Sequence, residues 1–220
     1  MKKTMMLIVL SIAIYGNIEA KGNFIPAILF LQDGTQIECF AAEMVNWRVA
    51  EITYKESKNS KEEKKIKSVD IKKIAYVNED GDTSEWEYLP TISPVALSKG
   101  QQIIDKPMWL NVKMRGFTTL YLNTTSEYKK QKIGKDGYIY TKGYNYLFFC
   151  LRENEEAAAN VLYVMDGKVP VNYSFAKSGS NYFADSPEIA EKIRKKEKGY
   201  REGNIVEIVR EYNAEKLANQ

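Results

Sequence analysis

The sequence predicts a mainly β (α+β) protein: a small N-terminal β-barrel or sandwich, then an antiparallel sheet packed with two or three C-terminal helices. Three observations carry this. Short runs of β-branched and aromatic residues recur about every ten residues, with turn residues between them. Asp33-Gly34 and Asp166-Gly167 are hairpin signals flanked by such runs. Helical spacing is confined to the end of the chain, behind Ser186-Pro187 and Asn204.

The elements follow in order. Residues 27–31 lead into the Asp33-Gly34 turn and 35–41 return, placing Ile37 and Cys39 inward and Gln36 and Glu38 outward. Residues 50–54 form a third strand. In residues 55–64, nine of ten are charged or serine, the composition of a solvated loop. Strands at 66–69 and 71–77 precede an acidic turn at 78–82 and a strand at 85–89. Residues 90–107 hold three prolines and Gly100, so domains are expected at 21–90 and 108–220 with a linker at 91–107. In the second block, strands are expected at 109–114, 118–122, 138–141, 144–151, 161–164 and 169–173, with a lysine-rich loop running up to Gly137. Pro170 demotes the last run to an edge or a strand start. Ser186 as N-cap and Pro187 at the first helical position open a helix that Gly199 ends. Asn204 with Glu207 makes a capping-box-like start for a second helix, whose apolar stripe is Ile205, Ile208, Val209 and Tyr212.

Residues 1–20 read as a cleavable export signal. Lys2 and Lys3 precede an eleven-residue apolar run, 5–15, and a small-residue end at Ala20. That run is shorter than the ~20 residues needed to span a bilayer. Cleavage would leave Lys21 at the N-terminus of a 200-residue chain of charge +2, without stable membrane insertion. No cysteine follows the expected cleavage point, so there is no acceptor for a lipid anchor, and the expected location is periplasmic or secreted. With no histidine in the chain, Ser-His and Cys-His catalysis and nearly all zinc chemistry drop out. Near-neutral, interspersed charge gives no reason to expect nucleic acid. Cys39 and Cys150 enter a compartment that permits a disulfide, yet both fall at interior packing positions; the residues favour buried thiols and leave the bridge open.

Two resemblances add to this. Residues 29–37, 52–55 and 66–74, with the Asp33-Gly34 hairpin and the late isoleucine-rich pair, look like the strand layout of SH3-like and Sm-like barrels; Cys39 stands where Sm-like proteins usually have glycine. The resemblance implies architecture alone, with no RNA binding. Residues 182–193 and 205–213, with Gly116-Phe-Thr-Thr-Leu-Tyr121, are similar to uncharacterised exported proteins of Bacteroidetes-type bacteria. That family has no assigned activity and implies no site residues.

Four constellations offer chemistry. The acidic turn 78–82 with Glu85 has oxygen ligands for calcium, but Gly81 stands fourth where an EF-hand needs it sixth, and Asp, Asn and Gly are what a turn needs anyway. The basic runs 192–198 and 129–135, the latter flanked by Tyr128 and Tyr138, read as solvated faces. Glu153, Glu155 and Glu156, with Asp185, are carboxylates of the kind that hydrolyse glycosides without histidine. Their plainer roles are loop surface for the glutamates and helix start for Asp185. No catalytic residue is assigned, and no cofactor or metal is expected. The expectation is an exported envelope protein acting as a non-enzymatic binding or structural module toward a protein or glycan partner; the alternative is a carboxylate-dependent hydrolase acting on glycans.

Overall fold

The computed structural model describes residues 23–78, 80–133, 137–165 and 174–219. The export signal expected at 1–20, Glu79, the turn expected at Asp166-Gly167 and the strand expected at 169–173 lie outside the described residues.

β1 (Phe24–Leu31) and β2 (Gln36–Ala42) form the first hairpin, with Gly34 at φ +88° and the Thr35 amide donating to Asp33 at 2.9 Å. A turn this tight needs the left-handed backbone that glycine adopts without penalty. Cys39 is buried and Ile37 packs on the same core, while Gln36 and Glu38 face out. β3 (Glu51–Lys55) and β4 (Lys64–Lys67) bracket the charged loop, which Lys55–Glu63 and Lys64–Glu56 ion pairs tie across its base. β4 is a four-residue edge strand bearing Lys64, Lys65 and Lys67, a short, charged edge that discourages pairing with other chains. β5 (Ile71–Val77) and β6 (Thr83–Ile92) follow.

β6 pairs with β7 (Ile104–Met114), β7 with β8 (Thr118–Ile133), β8 with β9 (Gly137–Arg152) and β9 with β10 (Ala158–Met165). β10 then returns to β6 in parallel through Ala158–Thr91 and Ala159–Ile92, closing a five-stranded barrel. The predicted class is observed: mainly β, with a small closed barrel, further strands outside it and C-terminal helices. The hydrogen-bonded ring is made by β6–β10, and β1–β5 extend the same sheet outward in the order β5-β1-β2-β3-β4. Closing a ring requires tilted, staggered strands, which the eight to sixteen residues of β6–β10 supply and the four residues of β4 do not. Residues 91–107 hold the end of β6, helix α1 (Pro94–Ser98) and the start of β7. Pro90 and Pro107 sit at the register shift between those strands, where the ladder does not need their missing N–H.

Alternation splits the barrel strands into two faces. Met108, Leu110, Tyr121, Phe149 and Ala158 form the interior cluster. On the outside, β1–β5 pack Ala27, Leu29, Ile71 and Ile74 against Trp86, Tyr88 and Trp109 of β6 and β7. Helices α2 (Phe175–Tyr182), α3 (Pro187–Lys195) and α4 (Ile205–Ala218) cover Leu120, Cys150, Ala159 and Val161 of β8–β10. The stripe Ile205, Ile208, Val209 and Tyr212 is buried there as its spacing predicts.

Three local expectations are corrected. Of the lysine-rich stretch before Gly137, the described residues up to Ile133 are strand: β8 and β9 pair from Thr118↔Arg152 out to Ile133↔Gly137. Past Ser126↔Tyr144 its strands pair only with each other among the described residues, and a two-stranded ribbon tolerates polar sequence because neither face must enter a core. α3 ends at Lys195 with Lys196 in the left-handed region (φ 55°), three residues before Gly199. Ser186 and Asn204 occupy their N-cap positions without capping through their side chains, and Ser186 donates to Glu215 of α4 instead.

Candidate functional site

A five-stranded barrel is narrow, and its middle is filled by the Met108, Leu110, Tyr121, Phe149 and Ala158 side chains. One end is closed by polar contacts: Tyr121 Oη donates to Glu87 at 2.6 Å, and Arg115 reaches Glu85 and Glu87, each at 2.7 Å. At the other end the inward positions turn polar, with Thr91 on β6, Thr125 on β8, Asn145 on β9 and Asn160 on β10. A cavity of about 540 Å³ opens there. Its floor is Met108, Leu147 and Phe149, and Trp47, Arg48, Asp105 and Tyr163 stand around the mouth. The volume is within the ~300–1,000 Å³ usual for small-molecule sites.

The wall bearing Trp47 is held firmly. The Trp109 amide donates to Trp47 O at 2.7 Å, and the Trp109 indole donates to Ser68 Oγ at 3.0 Å, which in turn donates to Val49 O at 2.8 Å. Trp109 thus fastens the β2–β3 loop to the barrel. Deeper in, fully buried Asn123 replaces part of the β7–β8 ladder. Its Oδ1 accepts from the Asn111 amide at 3.1 Å and its Nδ2 donates to Trp109 O at 2.7 Å, beside the register shift at Val112/Met114.

Two groups in the cavity wall are unusual. Asn145 is 6% and Asn160 4% exposed, and neither Oδ1 has a hydrogen-bond partner among the described residues. Asn145 Nδ2 donates to Thr125 Oγ1 at 3.2 Å, so that side chain is oriented and its oxygen still left over. A buried unpaired acceptor costs about 1–3 kcal/mol, and both residues line this one cavity.

The carboxylates singled out by sequence gather elsewhere, around Arg152 at the end of β9. Arg152 binds Glu155 at 2.5 Å, Asp185 at 2.8 Å, Tyr212 Oη at 2.8 Å and Tyr182 O at 2.6 Å, and its guanidinium lies 4.1 Å from the Tyr182 ring centre. Glu155 also accepts from the Arg152 amide and from Tyr182 Oη. Burial pushes the Asp185 carboxyl up, but hydrogen bonds from Tyr212 and Lys216 and the charges of Arg152 and Lys216 outweigh it and hold the group below its usual value. A glycosidase acid needs the opposite shift. Glu156 and Glu155 border a second cleft of about 500 Å³ with Gln102 and Asn181, and Glu153 is exposed.

The remaining candidates do not converge. The acidic stretch is a turn, with the Asn78 amide donating to Asp82 O and Gly81 at φ +84°. Glu85 leaves it for Lys73 and Arg115: burial raises its carboxyl, and those two cations bring it below its usual value. Among the described residues no three acidic or cysteine side chains gather to hold a metal ion. The basic end of α3 is paired along its own helix, Lys192 with Glu188 and Lys195 with Glu191. The side chains of 129–135, Tyr128 and Tyr138 lie outside the described residues. Cys39 and Cys150 are free thiols in different cores; burial pushes Cys39 up to about 11 and Cys150 higher still, the reverse of a reactive thiol.

Asn145, Asn160, Thr125 and Trp47 were not singled out by sequence. The available signal was asparagine, a poor strand former, at inward positions of otherwise apolar runs. The fold and the cavity define a class: a closed β-barrel with a blind, ligand-sized pocket at one end. Compared with known proteins, the chain matches no family model, no curated protein and no solved structure.

Proposed function

We propose that this chain is an exported, non-enzymatic binding module of a bacterial envelope, and that the open end of the barrel is its binding site. The observation that carries the binding reading is a cavity beside an aromatic wall, lined by two asparagines whose buried amide oxygens have no partner among the described residues. Export rests on the signal-like residues 1–20 and on the resemblance to exported Bacteroidetes-type proteins. Binding is favoured over glycan hydrolysis because Glu155 and Asp185 are both committed to Arg152.

The test is a thermal-shift screen of the purified chain against neutral and acidic sugars, short peptides and nucleotides. A ligand at 100 times its Kd adds about 2.7 kcal/mol to stability, a readily seen rise in melting temperature. No rise with any solute overturns the binding site. Mass spectrometry of the protein recovered outside the cytoplasm should find Lys21 first; residues 1–20 retained would overturn the export reading.

A further inference from the structure

We infer that the barrel cavity takes the neutral terminal ring of a saccharide, an inference that rests on the binding reading above. The cavity is blind. Tyr121, Phe149, Leu110 and Ala158 pack across the barrel beneath it, and the Tyr121–Glu87–Arg115 contacts close the far end. A polymer therefore enters end first. The end of a peptide is charged, and so is a terminal phosphate. Among the described residues the cavity is lined by no charged side chain but Arg48 and Asp105, which stand exposed at the mouth and are opposite in sign. A buried ion without a partner is strongly disfavoured, so the inserted end must be neutral.

The polar groups at depth specify the rest. Asn145 and Asn160 line the cavity and neither Oδ1 has a donor among the described residues, so a ligand that brings hydrogen-bond donors suits this lining. The nearby Thr91 and Thr125 hydroxyls can both donate and accept, as a ligand hydroxyl also can. The floor of Met108, Leu147 and Phe149 needs an apolar surface on the same ligand. A pyranose ring meets all three requirements: hydroxyl donors around its edge, a C–H face for the apolar floor, and no charge. Trp47 at the mouth is placed to lie against the next ring of the chain.

The experiment titrates neutral hexasaccharides (maltohexaose, cellohexaose, xylohexaose) and their monosaccharides into the purified chain, with trialanine and AMP as the other arms. Binding is read by calorimetry and tryptophan fluorescence. At least one saccharide should bind saturably. Asn145→Leu and Asn160→Leu should each weaken it about tenfold or more, equivalent to ~1.4 kcal/mol; Asn160→Leu should do so without lowering the melting temperature, because it removes an unpaired oxygen, whereas Asn145→Leu also gives up the Nδ2 bond to Thr125. Saccharide binding unchanged in both variants overturns the assignment to this cavity. If trialanine or AMP binds and no saccharide does, this inference fails while the binding reading stands; if nothing binds, both fail. Should the leucine variants not fold, the side-chain amide resonances of Asn145 and Asn160 in the parent decide. Saturable shifts with saccharide support the inference, and resonances that do not move overturn it.

Discussion

Asn213 on α4 and Thr118 at the start of β8 form a two-way amide pair: the Thr118 amide donates to Asn213 Oδ1 at 2.7 Å, and Asn213 Nδ2 donates to Thr118 O at 3.0 Å. The last helix is thereby hydrogen-bonded to the barrel like a strand of one residue. The approach requires Gly116, since a Cβ there would collide with the Asn213 amide.

Asn213→Ala should therefore cost about 1–3 kcal/mol for each backbone group it orphans at Thr118. Gly116→Ala should cost a similar ~1–3 kcal/mol by forcing the helix outward. Urea denaturation midpoints measure both. A parent-like midpoint for Asn213→Ala would show that the pair adds nothing to the docking of α4.

Asp185 predicts an acid limb in the stability curve. Its folded pKa lies below the ordinary 3.8, so its contribution is complete above that value and is lost as pH falls through the lower folded one. Asp185→Asn should lower the melting temperature at neutral pH, and the gap to the parent should shrink below about pH 4. A gap of constant size from pH 7 down to about pH 2.5 would show that charge on Asp185 is irrelevant to the Arg152 cluster.

Ile208 and Lys195 separate the two faces of the helical layer. Ile208 is 1% exposed in the core shared by the helices and the barrel, so Ile208→Asp should cost more than about 4 kcal/mol and unfold that layer. Lys195 is exposed and pairs with Glu191, so Lys195→Asp should cost only about 0.2–0.5 kcal/mol from like charge four residues apart. Melting curves of the two variants check this, and an Ile208→Asp variant that melts like the parent would make the apolar stripe a docking surface.

Local rules made several parts of this protein legible from sequence. The Asp33-Gly34 hairpin, the inward Cys39, the charged loop after β3 and the buried stripe of α4 depend on neighbours two to seven residues apart, and periods of two and 3.6 report such relations directly. The absence of histidine bounded the chemistry in the same way, since composition needs no coordinates. Tertiary structure alone decided which strands close the ring. The parallel β10–β6 contact joins residues far apart in sequence, and no local pattern encodes that distance. It likewise assigned Glu155 and Asp185 to Arg152, and brought Thr91, Thr125, Asn145 and Asn160 to the open end of the barrel. Each of those four is one residue of a different strand, and no local pattern links it to the other three. They form a site because strand pairing fixes their register and closure of the barrel turns their faces toward one another.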